Sequence, residues 1–121
     1  MGQLNLLIVD DEEMLVESLA RFFKRKDFNV LTAHGVAEAR TIIKSNLIQV
    51  LLTDMRMPDG VGTELIELQR QLYPASVILC ATGFSEEDTQ TILEKGANHV
   101  LGKPFEKKEI LNLIFETIAK N

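Results

Sequence analysis

The sequence predicts a doubly wound α/β fold: a five-stranded parallel sheet in the order 2-1-3-4-5, with helices on both faces. Three observations carry this prediction. Short apolar runs alternate five times with longer stretches of helical period, the pattern of strands joined by crossover helices. Leu4 to Val9, Val50 to Thr53 and Val77 to Ala81 are almost continuously apolar, as central strands covered on both faces must be. Asn29 to Ala33 and Asn98 to Leu101 are shorter and more polar, which suits the two edges.

The helices follow from periodicity. Leu15, Leu19, Phe22 and Phe23 form one apolar stripe of a first helix, and Leu65, Leu68 and Leu72 form that of a third. Ser85 with Asp88 resembles a capping box and Lys95-Gly96 a C-terminal stop, placing a fourth helix between them with a thin stripe of Ile92 and Leu93. In the last helix Ile110, Leu111, Leu113, Ile114, Phe115 and Ile118 cover roughly 200° of the circumference at 100° per residue. That arc exceeds what one sheet face needs, so it is either a partner surface or a broad core contact with one or two exposed apolar side chains.

At 121 residues the chain fits one domain, residues 1–121, large enough to bury a core without disulfides or structural metal. Hydrophobic residues make up 45% and charged residues 26%, the balance of an ordinary globular protein. The net charge of -5 gives no electrostatic footprint for direct nucleic-acid binding. Cys80 is the only cysteine; it reads as a small core hydrophobe in a reducing compartment. Met1, Gly2 and Gln3 do not begin a signal peptide, and no apolar run approaches the ~20 residues of a membrane span. The expected location is cytoplasmic.

In parallel sheets, functional groups gather at the carboxyl ends of the strands. The first central strand ends in Asp10-Asp11 with Glu12 beyond, the second in Asp54, the third in Thr82, and the last edge strand in Lys103. With strands 1 and 3 adjacent, Asp10, Asp11 and Asp54 share one pocket, and their mutual repulsion calls for a counter-charge. Oxygen ligands alone favour Mg²⁺. Asp54 can then act as a nucleophile toward an activated phosphoryl group, with Lys103 compensating charge and Thr82 adding a hydroxyl donor. A single Asp after a strand is more often a turn former or helix cap; it is the constellation at four strand ends that points to chemistry.

Here the chain resembles the receiver domains of bacterial response regulators, from Leu4 to Ala119. The matching segments are Leu7-Ile8-Val9-Asp10-Asp11-Glu12, Leu52 to Gly60 (LTDMRMPDG), Ala81-Thr82-Gly83 and Gly102-Lys103-Pro104-Phe105. The resemblance implies a flavodoxin-like fold and a phosphoacceptor signalling domain rather than an enzyme, one that assists its own phosphorylation and dephosphorylation. It implies that Asp54 accepts a phosphoryl group from a phosphohistidine on a sensor histidine kinase or phosphotransfer protein, or from a small donor such as acetyl phosphate. Mg²⁺ would be held by Asp11, Asp54 and the backbone carbonyl of Arg56, with Asp10 acting largely through water. Lys103 would contact the phosphoryl group, and Thr82 would move inward to bond it. The Lys103-Pro104 peptide is expected cis, and Pro58-Asp59-Gly60 would form a tight turn behind the acceptor. The surface of the fourth helix, fifth strand and fifth helix would then switch, for a missing effector domain, a downstream protein or a homodimer.

Some positions depart from the family pattern or set its tempo. Many receivers carry an aromatic residue three before the strand-five lysine; here it is Val100, which cannot report the switch by a ring flip. His99 points to the other face and reads as a surface histidine at an edge. Arg56 and Phe84 would flank the path of a hydrolytic water and predict slow phosphate loss, or else belong to a partner surface. Met14 and Leu15 are candidates for a kinase docking face, although core packing explains Leu15 as well. Competing functions fare worse. A phosphohydrolase with an aspartyl nucleophile wants an acid at position 56, where Arg stands. A flavin binder wants a Gly- or Ser-rich phosphate loop where this chain has Asp-Asp-Glu-Glu. A pure interaction module would keep the site without using it.

Overall fold

A computed structural model describes residues 3–83 and 86–120. Along the chain run β1 (Asn5–Val9), α1 (Glu13–Lys24), β2 (Asn29–Ala33), α2 (Val36–Ser45), β3 (Val50–Asp54), β4 (Arg56–Met57), β5 (Gly60–Val61) and α3 (Gly62–Leu72). They are followed by β6 (Val77–Thr82), α4 (Glu86–Glu94), β7 (His99–Gly102) and α5 (Lys107–Lys120). The main sheet has the order β2-β1-β3-β6-β7, parallel throughout. Counting its strands alone, this is the expected 2-1-3-4-5. The additions are β4 and β5, a two-residue antiparallel ladder turning at Pro58-Asp59.

Alternation along the strands builds two cores. Leu7, Val9, Leu51, Ile78 and Cys80 face α2, α3 and α4, whose Ala39, Ile43, Leu65, Ile66 and Ile92 complete that layer. Leu6, Ile8, Val50, Leu52 and Leu79 face the other way, against Val16, Leu19 and Phe23 of α1 and Ile110 and Ile114 of α5. Both faces of β3 and β6 are therefore dry, which is why their sequences are apolar without alternation. α1 carries Glu13 in its first turn and Arg21 and Lys24 in its last, matching the helix dipole. α4 stops where Lys95-Gly96 predicts. Gly96 has φ 124°, its N–H donates to Leu93, and that of Ala97 donates to Ile92, a Schellman closure that requires the left-handed residue.

Two expectations change, and the last helix takes one of the two readings left open for it. The α3 stripe keeps Leu65 in the core and Leu68 partly buried against it but loses Leu72, which is exposed, while Ile66 and Gln69 join the buried set. Gln69 Nε2 donates to the Ile48 carbonyl at 2.7 Å, which offsets part of the cost of burying the amide, while its Oε1 is buried without a partner among the described residues. On α5 only Ile110, Ile114 and Thr117 are buried. Phe115 and Ile118 remain 51% and 38% exposed, so the broad arc is a core contact with an apolar fringe. The edge strand β2 is as long as β1, five residues each; its polarity alone marks the edge. The cap expected at Ser85 lies outside the described residues. Among the described residues no helix is long and apolar enough to cross a membrane.

Candidate functional site

Parallel pairing brings the strand ends together. Val9 pairs with Thr53, so Asp10 and Asp54, each one residue further, emerge side by side. Asp54 pairs with Ala81, and Thr82 with Gly102. Lys103 follows, its N–H donating to the Thr82 carbonyl at 2.9 Å. Four strand ends thus deliver Asp10, Asp54, Thr82 and Lys103 to one edge of the sheet.

The Lys103 amine binds the acids together. Its Nζ donates to Asp10 Oδ2 at 2.7 Å and lies 3.3 Å from Asp54 Oδ2 and 3.5 Å from Glu12 Oε1. The side chains of Asp10, Asp54 and Lys103 are only 6%, 12% and 20% exposed. Asp10 Oδ1 accepts the Glu12 N–H at 2.9 Å, and Asp54 Oδ1 accepts the Met55 N–H at 2.8 Å. Burial pushes the Asp54 carboxyl above its ordinary range and the Asp10 charge pushes the same way, while Lys103 and the Met55 N–H oppose them. Burial alone would lower the Lys103 amine; the hydrogen bond and charge of Asp10, with Asp54, outweigh it and hold the amine above its ordinary value.

Asp11 is exposed, yet it offers a carboxylate oxygen to a cluster with Asp10 and Asp54 in which the three ligand atoms lie within 4.8 Å of one another. Three carboxylates face one ammonium, leaving about two negative charges uncompensated at full ionisation. An all-oxygen donor set with that deficit fits a hard divalent cation.

Behind Asp54 the chain is tightly closed. The Gly62 N–H donates to the Met55 carbonyl at 2.6 Å, and a Cβ on Gly62 would overlap the Asp54 carbonyl oxygen. The expected turn at Pro58-Asp59-Gly60 is present as the tip of the β4–β5 hairpin, and Gly60 adopts φ 156°. Asp59 does more than turn the chain: its carboxylate accepts the Val36 and Ala37 N–H groups of α2 at 2.8 and 3.0 Å.

The remaining candidates fall as follows. Thr82 is buried, and Lys103-Pro104 is cis. Val100 packs half-buried against the α2–α4 layer, with Leu101 on the other face; alternation puts His99 on the side of Leu101. Arg56 is exposed on β4, and Phe84 lies outside the described residues. Met14 is exposed and Leu15 packs against the core. Sequence reasoning missed the roles of Asp59 and Gly62 and the Glu12–Lys103 contact. The first had a faint signal: Gly35, standing before α2, has no side chain with which to cap it.

An acidic, lysine-braced pocket at the carboxyl edge of a five-stranded doubly wound sheet defines a class, and the comparisons name it. Residues 6–115 match the response regulator receiver domain; the chain belongs to that family, and receiver domains are signalling domains. It is similar to the photosynthetic apparatus regulatory protein RegA of Cereibacter sphaeroides, 31% identical over 111 residues, which are 91% of this chain and 60% of that protein. Among solved structures, a CheY-like receiver domain protein from Methanospirillum hungatei superposes with TM-score 0.91 at 26% identity, covering 98% of this chain and 96% of that one. A response regulator from Burkholderia pseudomallei, solved with a phosphorylated aspartic acid, calcium ion and citrate, gives TM-score 0.89 at 26% identity, covering 98% of this chain and 70% of that one. The chain spans 24% to 60% of the length of the first curated relatives it matches.

Proposed function

We propose that this chain is one receiver unit of a two-component phosphorelay and that Asp54 is its phosphoryl acceptor. The observation that carries the reading is the Lys103 amine, 2.7 Å from Asp10 and 3.3 Å from Asp54. A positive charge at that point serves a reaction that brings phosphoryl oxygens beside carboxylates. An Asp54 carboxylate oxygen attacks phosphorus and forms the O–P bond of an acyl phosphate. The P–N bond of the donor phosphohistidine breaks, and its electron pair returns to the imidazole, which takes a proton. Lys103 neutralises charge on the phosphoryl oxygens, and the buried Thr82 hydroxyl is the donor that reaches the product. Asp10, Asp11, Asp54 and the Arg56 carbonyl would hold Mg²⁺, which when bound supplies the remaining positive charge. The Burkholderia relative, solved with a phosphorylated aspartic acid and a calcium ion, supports this reading.

The donor is a sensor histidine kinase or a histidine phosphotransfer protein. The output passes through the surface of α4, β7 and α5 to an effector domain, a downstream protein or a second copy. Val100, an aliphatic residue, leaves that switch without a ring flip. Intact-mass measurement after acetyl phosphate and Mg²⁺ tests the core of the reading: one phosphoryl increment on the wild type and none on Asp54→Ala is expected. An equal increment on both rejects Asp54 as the acceptor.

A further inference from the structure

The hairpin that follows Asp54 is fastened at both ends. At its base, the Gly62 N–H closes on the Met55 carbonyl at 2.6 Å. At its tip, Asp59 Oδ1 accepts the Val36 N–H and Oδ2 the Ala37 N–H, the first two residues of α2. Such donors have no acceptor within their own helix, and Gly35 before them supplies none from a side chain. The Asp59 carboxylate occupies the space a side chain there would take, its Oδ1 standing 2.9 Å from where a Cβ on Gly35 would be. The Ala37 and Val36 N–H groups hold the Asp59 carboxyl below its ordinary range, so both bonds are charge-assisted at neutral pH. Between the two anchors lies Arg56, paired with Val61 across the hairpin.

We propose that Asp59 is a positioning residue for the metal cluster: by binding the start of α2 it fixes the hairpin, and with it the Arg56 backbone carbonyl beside Asp54. This rests on the reading that this carbonyl joins Asp10, Asp11 and Asp54 around a divalent cation. The coupling is reciprocal. A cation that holds the carbonyl steadies the hairpin, and the Val36 and Ala37 amides become better protected. Glu38 supplies the control, because its Oε1 accepts the His34 N–H at 2.8 Å at the same helix start, a contact made without the hairpin.

Calorimetric titration of the full chain with MgCl₂, alongside amide hydrogen exchange by NMR, tests the proposal on wild type, Asp59→Ala, Asp59→Asn and Glu38→Ala. Asp59→Ala is expected to raise the Mg²⁺ Kd roughly tenfold, the low end of what partners of ligating groups cost. It should also abolish the Mg²⁺-dependent protection of Val36 and Ala37. Asp59→Asn, which retains one carboxamide oxygen, should fall between, and Glu38→Ala should keep the wild-type Kd. An unchanged Kd in Asp59→Ala, or an equal weakening in Glu38→Ala, overturns the proposal. A wild type that takes up no Mg²⁺ overturns the site reading and the proposal with it, whereas normal wild-type binding with an unaffected Asp59→Ala overturns the proposal alone.

Discussion

Replacing Lys103 by Met removes the charge that braces the acidic pocket while keeping most of the side chain's volume. In the wild type the amine sits 2.7 Å from Asp10 and 3.3 Å from Asp54. At an effective dielectric constant of 20 these contacts amount to ~6 and ~5 kcal/mol of gross attraction. Much of that is offset, because Met spares the several kcal/mol of desolvating an ammonium and Asp54 can take up a proton. The net cost expected in metal-free protein at pH 7 is about 2–4 kcal/mol, read from urea unfolding in EDTA. Lys103 titrates above its ordinary value of 10.5, so its stabilisation is complete at neutral pH and is lost only as pH rises through the native value. Asp54 already titrates above 3.8. Its native form therefore binds a proton that the unfolded chain has released, and relative stability grows as pH falls through that window. Without Lys103 the window widens, and the deficit of the variant should shrink on acidification. Excess Mg²⁺ should also narrow the gap by returning positive charge. A metal-free variant within ~0.5 kcal/mol of wild type, or a deficit that grows as pH falls, would refute this electrostatic account.

Two further outcomes are expected. Gly62→Ala forces a methyl against the Asp54 carbonyl oxygen and should cost about 2–3 kcal/mol in chemical denaturation, with slower phosphoryl uptake; wild-type stability would show that the loop yields freely. Phe84→Ala and Arg56→Ala should each speed the loss of phosphate followed by intact mass, and unchanged decay in both would assign these residues to a partner surface instead.

The parts of the molecule that repeat a physical pattern were readable from the chain. Dry central strands must be apolar on both faces, so Leu7, Leu51 and Ile78 announced themselves. Asp10, Asp54, Thr82 and Lys103 stood where the runs ended, and pairing then left little freedom in where they met. What stayed hidden depended on a single partner far away in the chain. Gln69 interrupts the α3 stripe because of one carbonyl, that of Ile48. Asp59 reads as a turn residue until α2 is placed across from it. Gly62 looks like an ordinary helix start, since the oxygen that excludes a side chain is that of Asp54, at the end of β3. Such one-to-one contacts leave no periodic trace.

The close seat of Gly62 against Asp54 has a mechanical consequence. With the hydrogen bond to Met55 shutting the rear of the loop, the Asp54 main chain has no room to recoil on that side. On the proposed phosphorylation of Asp54, added bulk would therefore be taken up forward, toward the Thr82 and Lys103 ends of β6 and β7.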